Sequence, residues 1–339
     1  MMMFVGALTG PVYDAGYFRE LLIVGTFLNV FGHMMLSLCT QYWQVLLAQG
    51  FCIGIGSACL FVPGVAILST YFTSHLALAT GIAASGSSLG GVLYPIILYR
   101  LINQVGFGWS VRTIGFIVLV TLLVPNLVMK VRVLPASKRP LVDWTAFRSL
   151  PFMLFILGAF VGFIGIYAPF FYMQSYAIAK HITNENLAFY LLSILNSAST
   201  FGRILPNMLA DHVGPMNMIL PCALMSGVLI LTLMAVHNVG GMITFTVLFG
   251  FFSGTFVSLP PSIIVHLSPN RGLIGTRMGM CFSATAIGVL IGAPIAGAIL
   301  AASDYKDVWI YGGVMTIAGT CLMFGARVAH KGWDLMIRA

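Results

Sequence analysis

Two stretches of this chain share one design: "GPVYDAGYFR" at residues 10–19 and "PNMLADHVGPMN" at residues 206–217. Each places an aspartate, Asp14 or Asp211, at the end of an apolar run. Each then places a glycine, Gly16 or Gly214, two or three residues later. The two aspartates lie 197 positions apart in the chain.

Two further pairs repeat this offset. Gly90 in "GIAASGSSLGGVLYP" (81–95) and Gly288 in "GMCFSATAIGVLIGAP" (279–294) lie 198 positions apart, as do Pro63 and Pro261. Three pairs with nearly one offset predict a parallel internal repeat, in which two related helical bundles follow one another along the chain.

The composition predicts an integral membrane protein. Charged residues make up 7% of the 339 residues and hydrophobic residues 59%, whereas a soluble chain carries about 25% charge. A helix needs about 20 apolar residues to cross a bilayer. After a short apolar stub at 1–12, we predict ten spans: 21–40, 43–70, 79–101, 112–130, 150–176, 187–209, 217–236, 241–266, 279–301 and 309–326.

Basic residues orient these spans. One set of alternate loops holds eleven Lys and Arg residues and the other set holds four. Because Lys and Arg collect on the cytoplasmic side, the first set, with the C-terminal tail, is predicted to be cytoplasmic. Residues 131–149 then form a basic cytoplasmic linker between an N-terminal half-bundle (1–130) and a C-terminal six-helix half-bundle (150–339).

The repeat also predicts that the N-terminal half is incomplete. Two spans, 150–176 and 187–209, precede Asp211, whereas only the stub precedes Asp14. We therefore expect about eleven spans, the first of them partial, with the first span of the N-terminal half missing.

The chain resembles the fungal branch of the monocarboxylate porter family, within the major facilitator superfamily. The resemblance lies in "GALTGPVYDAGYFR" (6–19), "ALATGIAASGSSLGGVLYP" (77–95), "FFYMQSYA" (170–177), "LLSILNSASTFGRILPNMLAD" (191–211), "GTFVSLPP" (254–261) and "IGTRMGM" (274–280). It implies an all-α fold of two pseudo-repeated bundles around a central substrate path. It also implies that the loop at Asp14, Gly16 and Arg19 is a conformational latch between the bundles.

A polar stripe marks the span 187–209. Asn196, Ser199, Arg203 and Asn207 follow one another at steps of three, four and four, so they share a helix face. A charge inside a span usually faces a cavity or a bundle interior, and we predict that the stripe faces the central cleft; snorkelling of Arg203 to the cytoplasmic surface is the alternative. The resemblance assigns Arg203 to the substrate carboxylate.

The resemblance also has one departure. Ser199 stands where the family has an aspartate, so proton coupling of the small-molecule substrate is left open. Tyr167 and Tyr172 either line the path or anchor the span at the interface. We name Arg203, Ser199, Asn196 and Tyr172 as substrate-binding candidates.

Small residues predict close helix packing. Gly86 and Gly90 lie four apart, as do Gly288 and Gly292, and such faces let helices approach closely. Asp211 and Gly214 repeat the latch design of the N-terminal half. Pro63, Pro95, Pro169, Pro260, Pro261 and Pro294 are predicted kinks.

Together these patterns predict a secondary transporter of small organic anions of the monocarboxylate type, working by alternating access in the lipid bilayer. The plasma membrane is the expected location. Efflux of a fungal secondary metabolite is one alternative, and a truncated inactive or regulatory relative is another. We expect no enzyme, since neither paired acidic clusters nor nucleophile motifs occur. Nor do we expect a catalytic residue, a metal, a cofactor or a nucleic-acid partner; a protein partner is not indicated.

Overall fold

A computed structural model describes residues 2–72, 74–131, 142–268 and 274–333, except the side chains of Phe4, Ala7 and Asp14. All regular structure in these ranges is helical. The helices are α1 (Met2–Asp14), α2 (Phe18–Leu36), α3 (Tyr42–Tyr71), α4 (Leu76–Val128), α5 (Leu150–Ala179), α6 (Glu185–Val213), α7 (Pro215–Ala235), α8 (Val239–Leu267), α9 (Ile274–Ala302) and α10 (Tyr305–Lys331). Most of the predicted linker, 132–141, lies outside the described residues.

The helices follow the predicted spans, and the all-α prediction is confirmed. Seven of the described helices are long and apolar enough to cross a membrane, by length and composition. One of the seven, α4, has 53 residues and contains two predicted spans. Gly106, at φ +75° and ψ 170°, breaks its helical backbone between them. This φ is open to glycine and strained for other residues, so a glycine stands at the break.

Prolines interrupt two helices where kinks were predicted. Helix α5 is made of Leu150–Ile166 and Ala168–Ala179, with Pro169 in the first turn of the second segment. Helix α8 is made of Val239–Ser258 and Pro260–Leu267. Proline lacks the amide hydrogen and fits the first turn of a helix, so each segment restarts at a proline. Helix α3 contains a π-helical segment, Leu46–Ile53, which the sequence did not predict.

The described chain forms two compact units. Unit 1 contains residues 1–73, 93–143 and 268–283, and unit 2 contains 74–92, 144–267 and 284–339. Each unit therefore takes segments from both halves of the sequence. In particular, the first part of α4 packs in unit 2, with α5 to α8 and α10. The half-bundle boundaries at 131–149 stay a prediction.

Unit 1 is built on α3. Helices α1 and α2 both pack against it, and Tyr13, Phe18, Leu21 and Leu22 are buried there together with Ile67. Unit 2 is built on three helix pairs, α5 with α10, α6 with α8, and α7 with α10. Glycines lie at these helix contacts and let the two backbones come close together. A Cβ on Gly158, for example, would lie 2.8 Å from the carbonyl oxygen of Gly319. Such small faces supply close packing where lipid removes the usual hydrophobic driving force between helices.

Candidate functional site

Arg203 lies within α6, between the polar residues of the predicted stripe, and is half-buried. Helix α6 begins after Asn184, whose side-chain oxygen accepts a hydrogen bond from the Leu187 amide at 2.9 Å. This cap satisfies one of the free amides of the first turn. Regular helical steps from there carry Asn196, Ser199 and Arg203 onto one face.

The guanidinium of Arg203 is held by neutral oxygens only, among the residues that the structure describes. Its Nε donates to Ser199 Oγ at 3.2 Å, and its Nη1 donates to Ala84 O at 2.8 Å and to Ser87 Oγ at 2.6 Å. Within the same ranges no protein group accepts from Nη2. A guanidinium has five N–H donors and no acceptor. The two N–H donors of Nη2 are therefore available to an anion, which the positive charge of Arg203 would attract.

The other stripe residues are packed between helices. Ser199 is 2% exposed and its Oγ lies 3.3 Å from Ser88 Oγ. Asn207 is fully buried and its Oδ1 accepts from Ser258 Oγ at 3.2 Å. Ser199 and Asn207 therefore lie inside a helix contact, and the orientation of the stripe towards a central cleft stays a prediction. The Nδ2 of Asn207 is buried without a hydrogen-bond partner among the described residues, whereas the longer Arg203 side chain is half-buried.

Asn196 is packed as well. Its Nδ2 donates to Leu192 O in its own helix at 2.9 Å. A Cβ on Gly91 would lie 2.8 Å from Asn196 Oδ1. Asn196 therefore fills the contact between α6 and the first part of α4, and among the described residues its side chain makes no hydrogen bond with Arg203.

Two glycines of α4, Gly81 and Gly91, permit the close contact between α6 and the first part of α4. A Cβ on Gly81 would overlap the carbonyl oxygen of Arg203 and lie 2.7 Å from Asn207 Nδ2. Gly91 meets Asn196 in the same way. The predicted packing residue Gly86 instead has open space where its Cβ would be, so that prediction is wrong. Gly86 is five residues from both Gly81 and Gly91, and five residues turn a helix by about 500°, which is about 140° beyond a full turn. Gly86 therefore lies on another face of α4. Its predicted partner Gly90 is half-buried.

Gly288 and Gly292, the second predicted pair, lie in a close helix contact. A Cβ on Gly288 would lie 2.6 Å from Phe160 O, and one on Gly292 would overlap Ile164 O. Both glycines of α9 thus lie directly against the backbone of α5. This contact belongs to the C-terminal part of the chain, within unit 2.

Tyr172 ties α5 to α9. Its Oη donates to Ala293 O at 2.9 Å, and a Cβ on Gly297 would lie 2.8 Å from Tyr172 Oη. The described residues show no contact between Tyr172 and Arg203, so the structure does not bring these two candidates together. Tyr167 lies at the interruption of α5, between its two helical segments.

Aromatic side chains surround Tyr167 in unit 2. Its ring centroid lies 6.0 Å from that of Phe163 and 5.3 Å from that of Phe170. Phe163 continues to Phe256 at 5.2 Å, and Phe170 to Phe249 at 5.8 Å. Phe163, Phe249 and Phe256 are buried, so these rings form a packed aromatic core of unit 2 around the interruption of α5.

The latch residues have separate outcomes. Asp211 is buried, and its two carboxylate oxygens accept from the Ala77 and Leu78 amides at 3.0 Å each. It thereby caps the N-terminus of α4, where the helix dipole favours a negative charge. Gly214, at φ +104°, ends α6, and Gly16, at φ +95°, follows α1. These matching turns agree with the repeat.

In the N-terminal counterpart of the latch, Arg19 is exposed in the first turn of α2. The side chain of Asp14 lies outside the described residues. The latch role of both loops stays a prediction. Among the described residues, no group of three or more His, Cys, Asp or Glu side chains is arranged to hold a metal ion.

Comparison with known proteins identifies the fold and the superfamily. The sequence model of the Major Facilitator Superfamily matches residues 1–224 and, in a second match, 198–335. The chain is 54% identical over 320 residues to the MFS-type transporter dbaD of Emericella nidulans, covering 94% of this chain and 72% of that protein. It is 37% identical over 338 residues to the agnestins efflux protein AgnL12 of Paecilomyces divaricatus, covering 97% and 77%.

Two solved structures share the fold. The human organic anion transporter MFSD10 (TETRAN) has a TM-score of 0.76 at 12% identity, covering 95% of this chain and 80% of that one. A structure of the fucose:proton symporter FucP of E. coli has a TM-score of 0.73 at 17% identity, covering 96% and 88%.

The two relatives are named as an MFS-type transporter and an efflux protein. Those names do not support the narrower assignment to monocarboxylate porters. They do agree with the predicted absence of enzymatic chemistry, since these proteins and this fold belong to transporters. The chain is an integral, multi-pass membrane protein and belongs to the Major Facilitator Superfamily.

Proposed function

We propose that this chain moves a small secondary metabolite with an anionic group across the membrane, in the direction of efflux. The observation that carries the proposal is Arg203, a half-buried guanidinium with neutral protein acceptors and available Nη2 donors. A negatively charged oxygen would supply the charge-assisted hydrogen bond that the neutral acceptors do not.

The direction and the metabolite class are drawn from relatives. One relative that is 37% identical over 97% of this chain is named an efflux protein. A monocarboxylate remains the simplest ligand of this class, because one carboxylate oxygen can accept from Nη2 while the other accepts from a second donor.

Orientation and location complete the proposal. The charge bias of the loops, eleven basic residues against four, supports a cytoplasmic C-terminus. The plasma membrane is the membrane that an exporter to the outside must occupy. Proton coupling is not part of the proposal, since Ser199 stands beside Arg203 where a carboxylate would be needed.

Binding of a defined probe to the purified chain tests the proposal. 1-Naphthoate carries a carboxylate on an aromatic body, and 1-naphthamide is its neutral analogue. We expect wild-type protein to bind naphthoate, and Arg203→Ala to weaken that binding by at least about tenfold, since hydrogen bonds to charged groups contribute ~1.5–3 kcal/mol. Arg203→Lys keeps the charge and loses the planar fork, so it should give an intermediate affinity.

Transport by proteoliposomes then tests direction. Vesicles in which one orientation is selectively inactivated should move naphthoate from the cytoplasmic face to the opposite face, and Arg203→Ala should abolish this movement at equal protein amount. Equal naphthoate binding by the wild type and Arg203→Ala would overturn the anion site. Net movement only towards the cytoplasmic face would overturn efflux.

A further inference from the structure

Three serines follow one another closely in the "SGSS" stretch of α4, residues 85–88, and the structure gives each a different environment. Ser85 is buried, and its Oγ donates to Ile82 O in its own helix at 2.7 Å. Ser88 is fully buried against Ser199. Ser87 is exposed and contacts Arg203. Of the three, Ser87 alone combines contact with the guanidinium and access for a ligand.

The direction of the hydrogen bonds at Ser87 follows from the chemistry of its partners. Arginine can only donate, so Ser87 Oγ accepts from Arg203 Nη1 at 2.6 Å. The hydroxyl proton of Ser87 then goes to Ala84 O at 2.9 Å. The same carbonyl oxygen also accepts from Arg203 Nη1 at 2.8 Å.

The Ser87 hydroxyl proton can leave Ala84 O for another acceptor, because that carbonyl oxygen has other donors. If the hydroxyl turns towards a ligand, Ala84 O keeps the hydrogen bond from Arg203 as well as its place in the helix. Ser87 Oγ also keeps its bond from Nη1, because rotation of the O–H leaves the oxygen in place. No buried donor or acceptor loses its last partner in this exchange, which would otherwise carry a penalty.

We propose that Ser87 is a second ligand of the transported anion and donates its hydroxyl to the group that Arg203 binds through Nη2. An anionic oxygen at Nη2 lies beside Nη1, where Ser87 Oγ is held. The site would then be formed by two helices, with the charge from α6 and the hydroxyl from α4. This inference rests on the proposed function and adds a specificity residue to it.

The alternative role for Ser87 is to position Arg203 without touching the ligand. The two roles differ in what the neutral probe experiences. Loss of a direct ligand of the anion weakens naphthoate and leaves 1-naphthamide nearly unchanged. A loosened site weakens both probes to a similar degree, and a Ser87 that only positions the guanidinium has no effect on naphthoate binding when Arg203 is already alanine.

Calorimetric titration of the purified chain with both probes tests the inference. We expect Ser87→Ala to weaken naphthoate binding by about tenfold, as expected for a hydrogen bond to a charged group. Ser87→Thr keeps the hydroxyl and should stay within about twofold of the wild type. Ser85→Ala is the matched control, because the hydroxyl that it removes donates to Ile82 O within α4; it should also stay within about twofold.

The outcomes separate the two proposals. If Arg203→Ala loses naphthoate while Ser87→Ala behaves like Ser85→Ala, the role of Ser87 is overturned and the anion site stands. If Ser87→Ala weakens both probes equally, or changes nothing in the Arg203→Ala background, Ser87 is not a ligand of the anion. If Arg203→Ala and the wild type bind naphthoate equally, the proposed function fails, and the inference fails with it.

Discussion

Removal of Arg277 should destabilise unit 1 strongly. Arg277, in the first turns of α9, donates from Nε to Asp143 Oδ2 at 2.8 Å, and the two side chains are only 2% and 4% exposed. Removing one partner of such a buried pair costs about 3–5 kcal/mol, because the other charge stays in a medium of low dielectric. Arg277→Met keeps most of the side-chain volume and takes away only the charge and its donors.

The size of the effect sets the measurement. A change of 1 kcal/mol shifts the melting temperature by about 2–4 °C in chains of 150–250 residues, and by less in longer ones. We therefore expect Arg277→Met to lower the melting temperature in detergent by about 5 °C. The double variant Asp143→Leu/Arg277→Met removes both charges and should recover most of this loss, since apolar replacement of a buried pair is often neutral.

Arg148→Met is the matched control for this experiment. Arg148 is an exposed arginine close to Asp143 in sequence, and its loss should change the melting temperature by less than about 1 °C. An Arg277→Met variant that melts with the Arg148→Met control would refute the reasoning. So would a double variant that melts as low as the single one.

Three further outcomes follow from the packing and the charges. Gly81→Ala should destabilise the chain by about 1–3 kcal/mol, because its Cβ overlaps Arg203 O. Gly86→Ala should be neutral or stabilising by up to ~1 kcal/mol, because its Cβ enters open space and alanine favours the helix. Thermal melts that rank the two variants in the opposite order would contradict the assignment of faces. Asp211→Asn should speed hydrogen exchange at the amides of Ala77 and Leu78, since it removes the charge that caps α4; unchanged exchange would show that the cap does not depend on the charge. The hydrogen bond from Lys180 lowers the pKa of Asp304, so the stability that this exposed pair adds is present at neutral pH and is lost as the pH falls through that lowered pKa. The melting temperatures of the wild type and Lys180→Met should therefore converge at acid pH. A difference in melting temperature that widens at acid pH would contradict this pH dependence.

Helix positions were well predicted from the sequence. The predicted spans 241–266 and 279–301 correspond to Val239–Leu267 and Ile274–Ala302. The match has a simple cause: every backbone amide in a bilayer must bond within its own helix, and the bilayer sets the length of each apolar run. The interruptions at Pro169 and Pro260 followed from the missing amide of proline in the same local way.

Helix rotation was not predictable from the small residues of α4. Gly86 and Gly90 share a face at a step of four, yet Gly81 and Gly91 make the contact with α6. Apolar residues cover all sides of such a helix, so its hydrophobic pattern does not mark the packed face. In α9, by contrast, Gly288 and Gly292 share a face at a step of four and both lie against α5.

Ser87 was missed because nothing local distinguishes it from Ser85 and Ser88. Its contact partner, Arg203, is 116 positions away in the chain, and Ala84 is 119 positions away from the same arginine. Hydropathy and helical periodicity report on neighbours within a few turns, so they established the membrane class, the spans, the repeat and the presence of a charge inside α6. Which oxygens surround that charge depends on which helix lies against α6 and at what rotation, and these are properties of packing among distant segments.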